Sequence, residues 1–200
     1  IRAHNNLGAI FQALGEDQKA KNCFEKIIII DPYHVSAHNN LGVMFKNLNE
    51  YPKAKNCFLR AIEINPNYLN AHNNLGGIFQ ALGEYQKAID CYQKAVSLKP
   101  DDEISRYSLG IILHTTKQYE NAAKHFKLIN FKKSKSFLLS CLYKLDDKSV
   151  FFKELDDVIK QGEVNATIGS LITCSEVKHG IKRSNPFCHD PLKYVLKRKK

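Results

Sequence analysis

Two hundred residues, 44% hydrophobic and 25% charged, suffice for one or two folded domains and exclude disorder of the chain as a whole. No stretch approaches the roughly 18–20 uninterrupted apolar residues of a membrane span; the longest aliphatic run is Ile27 to Ile30, among charged neighbours. The formal charge of +10 raises nucleic acid or an acidic partner, but about half of the Lys and Arg residues lie beyond Asn130, so the basicity belongs mostly to the C-terminal part.

From Ala3 the chain reads AHNNLGAIFQALGEDQKAKNCFEK, from Ala37 AHNNLGVMFKNLNEYPKAKNCFLR, and from Ala71 AHNNLGGIFQALGEYQKAIDCYQK, a period of 34 residues. A weaker copy starts at Ser105 and keeps Leu109, Gly110, Tyr119, Ala122 and Phe126 in register. In the first copy Leu7, Ile10 and Phe11 share one helical face, and Ala20, Cys23, Phe24 and Ile27 share one face of the next helix, at steps of three and four. Leu14-Gly15-Glu16 supplies the turn between them, Asp31-Pro32 ends the second helix, and the small Gly8 and Ala20 fall where the two helices approach. Each period is therefore a helical hairpin. One hairpin cannot bury both of its faces, so successive hairpins stack.

These residues resemble the tetratricopeptide repeat. Leu7, Gly8, Phe11, Ala20, Phe24 and Pro32 match its pattern, as do Leu41, Gly42, Phe45, Ala54, Phe58 and Pro66, and again Leu75, Gly76, Phe79, Ala88, Tyr92 and Pro100. The departures are His4, His38 and His72, where an aromatic is common, and Ile27 and Ile129, where Ala is usual; looser helix contacts are expected there. The resemblance implies an all-α, right-handed superhelical solenoid of antiparallel helix pairs, with a concave groove as its binding surface.

The expected organisation is a repeat array over residues 1–136, in units 1–34, 35–68, 69–102 and 103–136, then a divergent helical cap over 137–180 and a basic irregular tail over 181–200. Within the cap SKSFLLSCLYKLDD and SVFFKELDDVIKQG read as two amphipathic helices, and NATIGSLITCSEVKHG as a third ending at Gly180; the last tail residues are expected to fray. Residues 165–197 resemble the connector of bacterial tetratricopeptide proteins that end in a 2-oxoglutarate and iron(II)-dependent oxygenase domain. That likeness implies a repeat arm of a longer enzyme, with any catalytic domain outside these residues. Ile1 lies inside a repeat and is not an initiator Met, so the natural N-terminus is expected upstream.

Asn6, Asn40 and Asn74 recur on consecutive first helices, with Ser108 in the fourth, and the matching position of the family pattern faces the groove. An amide offers a donor and an acceptor, which suits two-point hydrogen bonding to an extended peptide backbone. Similar ladders mark the repeat arms of O-linked N-acetylglucosaminyltransferases, which the array also resembles. The competing expectation is that these amides tie neighbouring helices together. Asn5, Asn39 and Asn73 are adjacent candidates for the same face. Ala9, Val43, Gly77 and Ile111, and Gln12, Lys46, Gln80 and His114, would tune specificity.

The His4, His38, His72 column is read as packing, because stacked repeats hold equivalent atoms on the order of 10 Å apart, too far to share a metal whose ligands sit about 2 Å away. Cys23, Cys57 and Cys91 form no disulfide ladder for the same reason, and the absence of any CxxC pair suits a reducing, cytoplasmic setting. Cys174, His179, Cys188 and His189 match no common zinc spacing. No HxD, GxSxG or P-loop occurs, so no catalytic residue and no cofactor is assigned. Lys197, Arg198, Lys199 and Lys200, with Lys182, Arg183 and Lys193, are read as a solvated basic tail before a phosphate-binding patch. The Asn165-Ala166-Thr167 sequon has no expected consequence. The expected partner is a protein or peptide; the expected alternative is a non-catalytic substrate-recognition arm of a modifying enzyme, an oxygenase or a glycosyltransferase.

Overall fold

The computed structural model describes residues 2–129, 132–162 and 166–180. Along the chain run α1 (Arg2–Ala13), α2 (Asp17–Ile30), α3 (Val35–Asn47), α4 (Tyr51–Ile64), α5 (Leu69–Ala81), α6 (Tyr85–Leu98), α7 (Glu103–Thr115), α8 (Tyr119–Lys127), α9 (Lys132–Leu145), α10 (Lys148–Lys160) and α11 (Ala166–His179), with no strand among the described residues. They form two compact units, Ile1–Ile112 and Leu113–Lys200, the division falling inside α7.

In the first unit the antiparallel hairpins α1–α2, α3–α4 and α5–α6 follow the period. Each closes through one recurring turn. The Glu16 amide donates to the Phe11 carbonyl at 2.8 Å, Glu50 to Phe45 at 2.8 Å and Glu84 to Phe79 at 2.9 Å, the long bond of a helix C-terminal cap that needs the preceding residue left-handed. Gly15 (φ 72°), Asn49 (φ 60°) and Gly83 (φ 75°) occupy that place. The hairpin legs meet over glycine. A Cβ on Gly42 would stand 2.6 Å from the fully buried Phe58 ring, and one on Gly8 or Gly76 would stand 2.8 Å from Phe24 or Tyr92. Only glycine lets the paired helices close to this distance.

Hairpins then stack, α2 on α3 and α4 on α5, with the first helices α3 and α5 also in contact. Their shared core runs from Phe24 and Ile27 through Leu41 and Met44 to Phe58 and Ile78. Ile27, larger than the Ala usual at its position, is fully buried in that core, so the contact there is not loose. Leu7 and Ile10 are 41% and 54% exposed, whereas Leu41 and Met44, one period on, are 7% and 0% exposed. The difference is stacking: α2 covers this face of α3, whereas no described helix covers the corresponding face of α1.

In the second unit α9 is central, packed by α8, α10 and α11. The helices read from residues 134–180 are present as α9, α10 and α11. Phe126 stacks on Phe137 at 5.4 Å between centroids, and Phe151, Leu155, Leu139 and Ile168 are fully buried. Asp147 caps α10 by accepting from the Val150 amide at 3.2 Å. Lys178 ties α11 to the end of α9, with its ammonium 2.8 Å from Asp146, 3.2 Å from the Tyr143 carbonyl and over the Tyr143 ring.

Candidate functional site

The first helices of the first unit carry the recurring polar residues, and their hydrogen bonds show how each is used. His38 Nε2 bonds the Pro32 carbonyl and His72 Nε2 the Pro66 carbonyl, both at 2.9 Å. In the following period Arg106 donates to the Pro100 carbonyl. At α3, α5 and α7 the column thus joins the first helix to the loop that precedes it, a more specific role than the packing read from sequence. The signal was available: Arg at the same register keeps the donor and abandons the ring.

The amides divide by position. Asn39 is 4% exposed, its Nδ2 donating to Asn40 Oδ1 at 3.2 Å and its Oδ1 accepting from Asn74 Nδ2 at 2.9 Å. Three amides are thus chained across two repeats. Asn73 Nδ2 donates to Ser105 Oγ at 2.7 Å, bridging to α7. Asn6 is exposed, Asn40, Asn74 and Asn5 are half-buried, and Asn5 Oδ1 and Asn73 Oδ1 are buried acceptors without a partner. Ser108 is half-buried and hydrogen-bonds Tyr92. An open pocket of about 210 Å³ lies among these groups, lined by Asn39, Leu69, Asn70, Asn73, Asn74, Asp102 and Ile104. The pocket was not legible in the sequence, since it needs side chains from three first helices and one loop.

Of the positions proposed to tune specificity, Gly77 has room for a side chain, the nearest atoms to an added Cβ being the Tyr92 hydroxyl at 3.7 Å and Lys46 Nζ at 3.9 Å. Gln80 accepts from the Tyr92 hydroxyl at 3.2 Å. His114 belongs to the second unit, between the rings of Tyr119 and Phe137 with its Nε2 3.1 Å from Ser140 Oγ. Burial, with the Lys144 ammonium second, holds its pKa below the ordinary imidazole value.

Cys23, Cys57, Cys91, Cys141 and Cys174 are free thiols. Burial pushes Cys57 and Cys91 up to about 11 and Cys141 up to about 12, so little thiolate forms at neutral pH. Among the described residues no three His, Cys, Asp or Glu side chains converge as a metal site would require. Cys174 is exposed, while His179 sits 3.7 Å from Asp146. Cys188, His189, the basic residues from Lys182 to Lys200 and Asn165 of the sequon lie outside the described residues, as does residues 165–197 except for α11 and Gly180. No helix among the described residues is long and apolar enough to cross a membrane.

Two tetratricopeptide-repeat profiles match the sequence, one over residues 1–34 and the other over 35–68 and 69–102. The chain belongs to the tetratricopeptide-repeat family. No curated protein matches it. Among solved structures it is similar to PilF of Pseudomonas aeruginosa, at 24% identity and a TM-score of 0.74, covering 88% of this chain and 83% of that one. It is also similar to MamA, at 20% identity and a TM-score of 0.67, over 79% of this chain and 98% of that one. A third neighbour is YrrB, described as a tetratricopeptide-repeat protein with an unusual peptide-binding site, at 17% identity and a TM-score of 0.68, over 82% and 88%. At these identities the likeness establishes the solenoid fold of stacked helix pairs.

Proposed function

We propose that this chain is a protein-interaction scaffold that holds an extended peptide or a partner helix along the first-helix face of its repeats. The observation that carries the reading is the amide set itself. Asn6, Asn40 and Asn74 recur every 34 residues, and Asn74 lines an open pocket together with Asn39 and Asn73. Amides at a fixed interval match the repeating polarity of a peptide backbone, which lets a groove hold a chain without reading every side chain. The description of YrrB as a peptide binder on the same fold supports this choice of partner. The same face would present substrate if the repeats served as the recognition arm of a larger modifying enzyme, the alternative raised by the connector-like residues 165–197. Catalysis is no part of the proposal, because the sequence offers no residues for it.

The test is to select random dodecapeptides on the whole chain and measure their affinity for Asn6→Ala, Asn40→Ala and Asn74→Ala. Asn6 is exposed and is the cleanest probe. Asn74→Ala strands the buried Asn39 oxygen and costs stability of about 1–3 kcal/mol, so folding is followed separately by circular dichroism. A loss of affinity of roughly tenfold in folded variants supports the amide ladder. Unchanged affinity removes it.

A further inference from the structure

The pocket on the first-helix face is lined by four asparagine amides, one carboxylate and two aliphatic side chains. Its volume, about 210 Å³, falls below the roughly 300–1,000 Å³ of sites that enclose a whole small molecule, and it suits a single side chain. Asp102 Oδ2 accepts from the Ser105 amide at 2.8 Å and from the Ser105 hydroxyl at 2.6 Å. With its proton committed to the carboxylate, that hydroxyl can only accept from Asn73, so Asn73 must turn its Nδ2 toward it. Asn73 Oδ1 is left buried and without a donor. Asn39 Nδ2 and Asn74 Nδ2 are each engaged with a neighbouring amide oxygen. The Asp102 carboxylate is the one charged group of the lining, beside the amides of Asn39, Asn70, Asn73 and Asn74. The lining includes no Lys or Arg, and Leu69 and Ile104 give it aliphatic walls.

We propose that this pocket takes a Lys or Arg side chain of a bound peptide, its cationic head donating to the Asp102 carboxylate and its stem lying on Leu69 and Ile104. The inference rests on the reading of the first-helix face as a peptide site and specifies the residue preferred there. Both side chains carry several donors, no acceptor and a long aliphatic stem, which is the complement of this lining. An acidic side chain would meet the Asp102 carboxylate as a like charge, with no cation in the lining to offset it. Hydrogen bonds between a cation and a carboxylate exceed those of a neutral amide, and Asp101 and Glu103 flank Asp102 in the sequence. The overall charge of +10 opposes a basic peptide at long range, but salt screens that repulsion beyond about 8–10 Å. One period earlier Tyr68, Ala71 and Asn70 stand in for Asp102, Ser105 and Ile104, so the preceding repeat lacks this basic subsite and the subsite would help set the register of the peptide.

The test uses the whole chain, with N-acetyl-arginine amide and N-acetyl-glutamine amide as probes and two-dimensional NMR as readout. The arginine derivative is expected to move the Asn73 and Asn74 side-chain amides and the Ser105 backbone amide in a saturable way, with an affinity of about millimolar. Asp102→Asn keeps an equally good helix cap and removes only the charge, and it is expected to weaken the interaction roughly tenfold. The absence of a saturable shift, equal shifts from the glutamine derivative, or wild-type affinity in Asp102→Asn would each overturn the proposal. Peptides that lose affinity with Asn40→Ala while the arginine derivative causes no shift overturn the basic subsite and leave the groove reading in place. Peptides indifferent to Asn40→Ala overturn that reading and this inference with it.

Discussion

The two units solve one packing problem with different means. In Ile1–Ile112 a single set of contacts recurs: glycine under an aromatic ring, a left-handed residue in the turn, and a polar side chain reaching back to the preceding proline carbonyl. In Leu113–Lys200 each contact is individual. Phe126 stacks on Phe137, Phe151 meets Phe152 edge to face, and Lys178 reaches Asp146 and Tyr143. A repeated contact makes stability close to a sum over neighbouring units, and it also makes one surface recur at fixed spacing. A polar face on the first unit is therefore a ladder. The second unit has the helices and lacks the interval.

The largest effect that separates these regimes is expected from Phe58→Ala, which empties a fully buried ring position and costs about 3–5 kcal/mol. Hydrogen exchange read helix by helix should rise most in α3 and α4, then in their stacked neighbours α2 and α5. Uniform loss across every helix would show that the repeats do not act as nearest-neighbour units. Next is Gly42→Ala. A helical alanine gains about 1 kcal/mol over glycine, but overpacking against the Phe58 ring costs about 1–3 kcal/mol. A net loss in chemical denaturation is expected, and a net gain would show that the hairpin can open without penalty.

A smaller change of opposite sign is expected in the second unit, where Lys117 sits at φ 63° in the turn position that glycine fills at Gly15 and Gly83. Lys117→Gly should raise stability by about 0.5–1 kcal/mol, measured as a shift in denaturation midpoint; no change would mean the turn carries no strain. The smallest effect concerns pH. His114 has a lowered folded pKa, so its contribution is fully present above the unfolded value of about 6.5. As pH falls through that value the unfolded chain takes up the proton first and stability is lost. Exchange in α8 and α9 should therefore grow more acid-sensitive than in α3 and α4, and His114→Gln should remove the excess.

What the sequence disclosed follows the same division. Period, hairpin turns and aromatic columns were legible because one physical requirement is written three times, as at Gly8, Gly42 and Gly76. The helices of the second unit could be read from their apolar faces, but not their partners, since Phe126 and Phe137 share no register with any other pair. At the candidate site the recurring Asn positions were visible, whereas the Asp102, Ser105, Asn73 relay was not. It joins residues 32 apart through a serine that replaces the alanine of earlier repeats, and only the folded arrangement shows which oxygen is left free.

The central claim is that the first-helix face of the repeats is the surface that holds a partner. The most direct measurement is hydrogen exchange of the whole chain with and without a selected peptide at saturation. The account predicts protection concentrated in α3, α5 and the start of α7, including the Asn73, Asn74 and Ser105 amides. Protection confined to the second helices α2, α4 and α6, with the first helices unchanged, would contradict it.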